Sequence, residues 1–124
     1  MTIPIAQIIK VEAPASAPAG EYVIIDVHLK NNSTNYISLG VTGVYDSSLL
    51  SWQFGYLGFL PYETLIFRGW FTMPSKNVRL TIWSWYWDIG LADWVLDETE
   101  YVDISLTGLV PAFSEFAVAS FQKG

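Results

Sequence analysis

Apolar and polar positions alternate with a period of two through most of the chain, and the three-to-four spacing of a helix face is hard to find. "IPIAQIIKV" (3–11) predicts a first strand, and "APASAPAG" (13–20) a small, proline-containing connector. "EYVIIDVHLKN" (21–31) sets Tyr22, Ile24, Asp26 and His28 against Val23, Ile25, Val27 and Leu29, and the turn cluster "NNSTN" closes it. Further strands are expected over 36–45, 49–59, 64–73, 78–87 and 94–106, separated by "DSS", "LPYE", "PSKN" and "DIGLAD". In 49–59, Leu50, Trp52, Phe54 and Tyr56 share one side of a single predicted strand, with Ser51, Gln53 and Gly55 opposite. Seven strands at near-even spacing with turn signals between them predict an all-β, two-sheet β-sandwich, a small closed barrel being the rival.

One strand breaks the usual rule. In "LTIWSWYW" (80–87), Thr81, Trp83, Trp85 and Trp87 point to one side and Leu80, Ile82, Ser84 and Tyr86 to the other. A strand between one core and solvent should be polar on its second face. Here both faces are largely apolar.

"APAGEYVIIDVHLKNNS" resembles the second strand of immunoglobulin-like adhesion modules of the CARDB type: a small-Pro-Gly connector, then an alternating strand closing on Lys-Asn-Asn. "PYETLIFRGWFTMPSKNVRLTIWS" resembles the later strand pair of such bacterial, archaeal and phage domains, with a P-x-E-T turn, a strand ended by "MP" and the next opened by "NV". The resemblance spans roughly residues 5–106. It implies an immunoglobulin-like sandwich over 1–108 and carries no catalytic signature. The aromatic load exceeds what such modules need. Beyond it, "LVPAFSEFAVASFQKG" (109–124) alternates again and predicts an extra C-terminal strand. That strand either docks on its own sheet, or is the vestige of a following repeat, or pairs with a neighbouring subunit's open edge through Phe113, Phe116, Val118 and Phe121.

Composition sharpens this picture. Of 124 residues, 52% are hydrophobic and 16% aromatic, with a mean hydropathy of +0.32. Surplus apolar surface of this kind points to an interface with another chain. The net charge of −6 argues against nucleic acid, whose phosphates demand clustered Lys and Arg. Cysteine is absent, which excludes disulfides, zinc-thiolate sites and cysteine nucleophiles. "MTIPIAQIIK" lacks the basic and long apolar regions of a secretion signal. The longest uncharged run, 47–62, is too short and too broken by Gln53, Gly55, Gly58 and Pro61 to span a membrane.

Catalytic chemistry finds no footing. His28 sits mid-strand near Asp26 with no assignable nucleophile, and Gly55 and Gly58 lack the helix a phosphate loop would use. No enzyme and no cofactor are expected. From Asp88 to Asp103 the chain carries Asp88, Asp93, Asp97, Glu98, Glu100 and Asp103 with no Lys or Arg. Asp88, Asp93 and Asp97 are calcium candidates, but the spacing fits no EF-hand, and a solvated acidic hairpin is preferred. Asn31-Asn32-Ser33 and Asn32-Ser33-Thr34 match the glycosylation pattern.

Trp83, Trp85 and Trp87, with Trp70 and Trp94, admit two functional readings. They bury between subunits, or they form a stacking platform for carbohydrate assisted by Asp88 and Asp93. A third, purely structural reading makes Trp70 and the Trp83–Trp87 face, with long loops folded over them, a satellite core within one chain. The subunit reading covers the hydrophobicity, the strand-like tail and the two-faced strand together. The expected function is therefore a self-associating structural subunit of an extracellular assembly: a virion capsid, tail or decoration protein, or a surface filament subunit.

Overall fold

The computed structural model describes residues 3–108. Strand formation follows the alternation closely. β1 (Ala6–Glu12), β2 (Ser16–Pro18), β3 (Tyr22–Asn31), β4 (Ile37–Tyr45), β5 (Ser48–Leu49), β6 (Ser51–Trp52), β7 (Tyr56–Phe59), β8 (Thr64–Thr72), β9 (Val78–Asp88) and β10 (Asp93–Thr107) build two sheets. The first has the order β1-β3-β8-β6; the second runs β2-β10-β9-β4-β5, with β7 also pairing β4. Most chain neighbours lie in different sheets, as an immunoglobulin-like sandwich requires, while β4–β5 and β9–β10 are hairpins within the second. Among the described residues no helix is long and apolar enough to cross a membrane.

The inward-facing half of each alternation makes the core. Val23, Ile25, Val27 and Leu29 of β3 and Phe67 and Phe71 of β8 meet Leu39 and Val41 of β4 and Leu80 and Ile82 of β9. Phe59 and Phe67, both fully buried, stack with centroids 6.0 Å apart. The tight turn 60–63 is closed by the Glu63 amide donating to the Leu60 carbonyl at 3.1 Å. With Pro61 second and Tyr62 third at φ 64, it is a turn whose third position favours glycine.

Two expectations need correction. The stretch 49–59 is not one strand: β5 pairs with β4, β6 with β8 in the opposite sheet, and β7 returns to β4. At the crossing, the Trp52 indole lies between the sheets, wedged over Gly69 of β8 and Gly43 of β4. A Cβ at Gly69 would stand 2.8 Å from the ring, and one at Gly43 3.3 Å from it. The connector 13–20 also contains a strand. β2 pairs parallel to the end of β10, Ser16 to Ser105 and Pro18 to Thr107, and buries Ala17. The expected C-terminal strand, with Phe113, Phe116, Val118 and Phe121, lies outside the described residues.

The acidic run has a structural use. A register shift between Leu96 and Thr99 turns consecutive residues of β10 toward β1. Asp97 Oδ2 accepts the Ala6 amide at 2.7 Å, and Glu98 Oε1 accepts the Ile8 amide at 2.8 Å. Ser84, fully buried on β9, completes the seam by donating to the Ala6 carbonyl at 2.7 Å and accepting the Glu98 amide at 3.0 Å. These carboxylates occupy N–H groups on the outer edge of β1 that a bare edge would offer to another chain.

Candidate functional site

Because Leu80, Ile82 and Ser84 face the core, Trp83, Trp85 and Trp87 stand on the outer face of the second sheet. Strand register decides their company. Trp87 pairs with Trp94, Trp85 with Leu96 on one side and Gly40 on the other, and Trp83 with Thr42 and Thr99. Tyr56 on β7 pairs with Gly40 and closes the row.

The rings are fixed. Trp87 and Trp94 meet edge to face at 5.5 Å, and Trp94 meets Tyr56 at 5.5 Å. The Trp85 indole N–H donates to Thr42 Oγ1 at 2.8 Å. Between them lies a cleft of about 320 Å³ lined by Gly40, Val41, Thr42, Gly55, Tyr56, Trp85 and Trp94. Gly40 keeps it open: a Cβ there would meet the Gly55 carbonyl oxygen at 2.8 Å and Tyr56 Cβ at 3.3 Å. The four tryptophans are half-buried, and no described element lies across them. At the far end of the face the surface turns polar, with Arg79 bound to Asp103 at 2.8 and 3.2 Å and lying over the Tyr101 ring.

Trp70 is elsewhere. It alternates with the core residues Gly69 and Phe71, so it stands on the outer face of the first sheet, across the sandwich from Trp85. The satellite-core reading fails for this reason, and the five tryptophans do not form one site. Trp70 lies beside Tyr22, ring centroids 6.4 Å apart. The next rung carries Asp26, which accepts from Arg68 Nε and Nη2 at 2.9 and 3.0 Å. Sequence reasoning passed over Tyr22 and Arg68 as functional residues. The signal was their parity with Trp70 and Asp26, legible once β3 and β8 are paired.

The calcium candidates are not gathered. Asp88 Oδ1 accepts the Leu91 amide within the hairpin, Asp93 Oδ1 accepts the Trp94 amide, and Asp97 holds β1. Among the described residues no three acidic or histidine side chains cluster to hold a metal. Neither asparagine of the glycosylation pattern offers an open amide. Asn31 is fully buried and donates to the Asn35 and Leu60 carbonyls; Asn32 donates to the Pro4 carbonyl and Gln7.

Ion pairs on the outer faces set the acid response. Arg68, as hydrogen-bond donor to Asp26, holds that carboxyl below its ordinary range, against a smaller opposing effect of burial. His28 does the same for Glu12, followed by Lys10, and Arg79 for Asp103. The unfolded chain takes up these protons at higher pH than the folded one. The stability they contribute is therefore complete above the ordinary carboxylate range and is lost as pH falls through the lowered folded values. The urea midpoint should be flat from neutrality to about pH 5 and drop below about pH 4, less steeply in Asp26→Asn. An equal slope in that variant would remove the Asp26–Arg68 pair from the account.

Fold and surface together define an immunoglobulin-like β-sandwich module with two decorated outer faces. Two solved structures share that fold at low identity. The CARDB domain of a Pyrococcus furiosus protein, solved in complex with di-metal ions, aligns with a TM-score of 0.61 at 14% identity over 86% of this chain and 97% of its own. The ASH / PapD-like domain 7 of human CEP192 aligns with a TM-score of 0.53 at 12% identity over 85% of this chain and 87% of its own. No family model matches the chain, and no curated protein matches it.

Proposed function

We propose that this domain is a non-enzymatic structural subunit of an extracellular assembly, in which the aromatic face of β4, β9 and β10 buries against a neighbouring subunit. A virion capsid, tail or decoration protein is the first form of this reading, and a surface filament subunit the second. The observation that carries it is the row of half-buried indoles Trp94, Trp87 and Trp85, with the exposed Tyr56 ring, around the Gly40 cleft and with no described element over them. Large rings in a fixed arrangement make interfaces at small entropic cost. Saccharide is a poorer occupant of this cleft. Thr42 already accepts from Trp85, and the lining otherwise carries only the Tyr56 hydroxyl and the Trp94 indole N–H, with no charged or amide side chain to orient sugar hydroxyls.

Light scattering of the full chain across a concentration range tests this. The wild type should form a closed oligomer or filament, and Trp85→Ala with Trp94→Ala should weaken association by about thirtyfold or more. Ending the chain at Gly108 examines the second element, exchange of the segment 109–124 carrying Phe113, Phe116, Val118 and Phe121. Weakened assembly with an intact fold supports exchange, and unchanged assembly removes it. A wild-type chain monomeric at every concentration overturns self-assembly.

A further inference from the structure

The outer face of the first sheet differs in kind from the aromatic face. Two adjacent rungs cross β3, β8 and the chain at β6: Ile24, Trp70 and Ser51 on one, Asp26, Arg68 and Gln53 on the next. The Gln53 amide donates to the Arg68 carbonyl at 2.9 Å, which continues the ladder and puts the exposed Gln53 side chain on the same face. Tyr22 extends the Trp70 ring into a two-ring platform, the planes inclined at 34°. A depression of about 520 Å³ runs over these residues.

We propose that this depression is a binding site for a neutral saccharide, with one sugar ring on Trp70 and Tyr22 and its hydroxyls on Asp26, Arg68 and Gln53. Successive rungs on one face are about 7 Å apart, so a pyranose stacked on Trp70 places its edge hydroxyls over the polar rung. Carbon-bound hydrogens of a sugar suit the electron-rich face of an indole. The charges choose the ligand class. Arg68 and Asp26 neutralise each other in a two-bond bridge, which disfavours an anion or a cation. The bridge still leaves hydrogen-bonding capacity: two of the guanidinium's N–H groups are engaged, and each carboxylate oxygen can accept more than one hydrogen bond. A planar guanidinium beside a carboxylate offers donors and acceptors together, as vicinal hydroxyls require. Gln53 adds an uncharged pair of the same kind. The Gly40 cleft has the rings without this polar rung, so the two outer faces separate stacking from hydrogen-bonded recognition.

Two-dimensional NMR of the full chain, titrated with malto-, cello-, chito- and manno-oligosaccharides, tests the site. At least one of the four should shift the Trp70 indole and Gln53 amide signals in a saturable manner. Trp70→Ala and Gln53→Ala should each weaken that binding by about tenfold, while Trp85→Ala leaves it unchanged. Gln53→Ala guards against misfolding, since only its main chain bonds to β8. No saturable shift with any of the four overturns the proposal, as does binding lost in Trp85→Ala and kept in Gln53→Ala. Because assembly is read by light scattering and rests on the opposite face, either proposal can fail without the other.

Discussion

Trp52→Ala should destabilise the domain by about 3 kcal/mol, and Gly69→Ala, harmful alone, should cost clearly less in that background, where only the Ser51 carbonyl oxygen still crowds the methyl. Trp52 fills the gap at the edge of the sandwich left by Gly43 and Gly69, the inward positions of β4 and β8 that lack side chains. Without the indole, sheets held by backbone ladders cannot close the space, so a cavity remains. In the wild type, a methyl at Gly69 would sit 2.8 Å from two indole carbons and 3.0 Å from the Ser51 carbonyl oxygen. Such overpacking costs about 1–3 kcal/mol. The same methyl in Trp52→Ala enters space the ring has vacated. Urea unfolding of the four chains measures the coupling; additive losses would mean the ring and the glycine are not opposed. Trp52 Nε1 is buried without a partner, so Trp52→Phe should lose less than Trp52→Ala by more than ring size alone explains.

Ser84→Ala should cost about 2–4 kcal/mol, a large loss for one oxygen atom. Its hydroxyl serves two chain segments at a fully buried position, as donor to the Ala6 carbonyl and acceptor from the Glu98 amide. Removing it orphans both backbone groups and unseats the bulge that aims Asp97 and Glu98 at β1. Unfolding in urea gives the loss, and hydrogen exchange gives its place: the Ala6 and Ile8 amides should exchange faster than those of β3. A loss under about 0.5 kcal/mol with β1 still protected would show that the carboxylates hold the strand alone.

Most strands were legible in the sequence because a two-residue period records which side is buried. β3, β8 and β9 follow it over nearly their whole length. The stretch 49–59 kept the same period while changing partners, since Leu50 and Trp52 look inward from two different sheets and Tyr56 looks outward from a third pairing. Alternation carries no mark of such a switch. β2 escaped notice because three residues held mainly by backbone bonds leave little side-chain pattern. The tryptophans of β9 were rightly seen as a second apolar face, but parity alone cannot say on which side of a sandwich Trp70 lies. Likewise, Asp97 and Glu98 read as solvated charge until the bulge turned both toward β1.

The parallel pairing of β2 with β10 bears on how the domain would meet force. β1 and β2 both run in the direction of β10, with Ala6 beside Asp97 and Pro18 beside Thr107. Tension applied along that axis, backward on β1 and forward on β10, slides the strands past each other. The two carboxylate bonds and the β2–β10 bonds then share the load at once, where a perpendicular pull would open them one by one. A module joined in this way resists stretching most strongly along its own long direction.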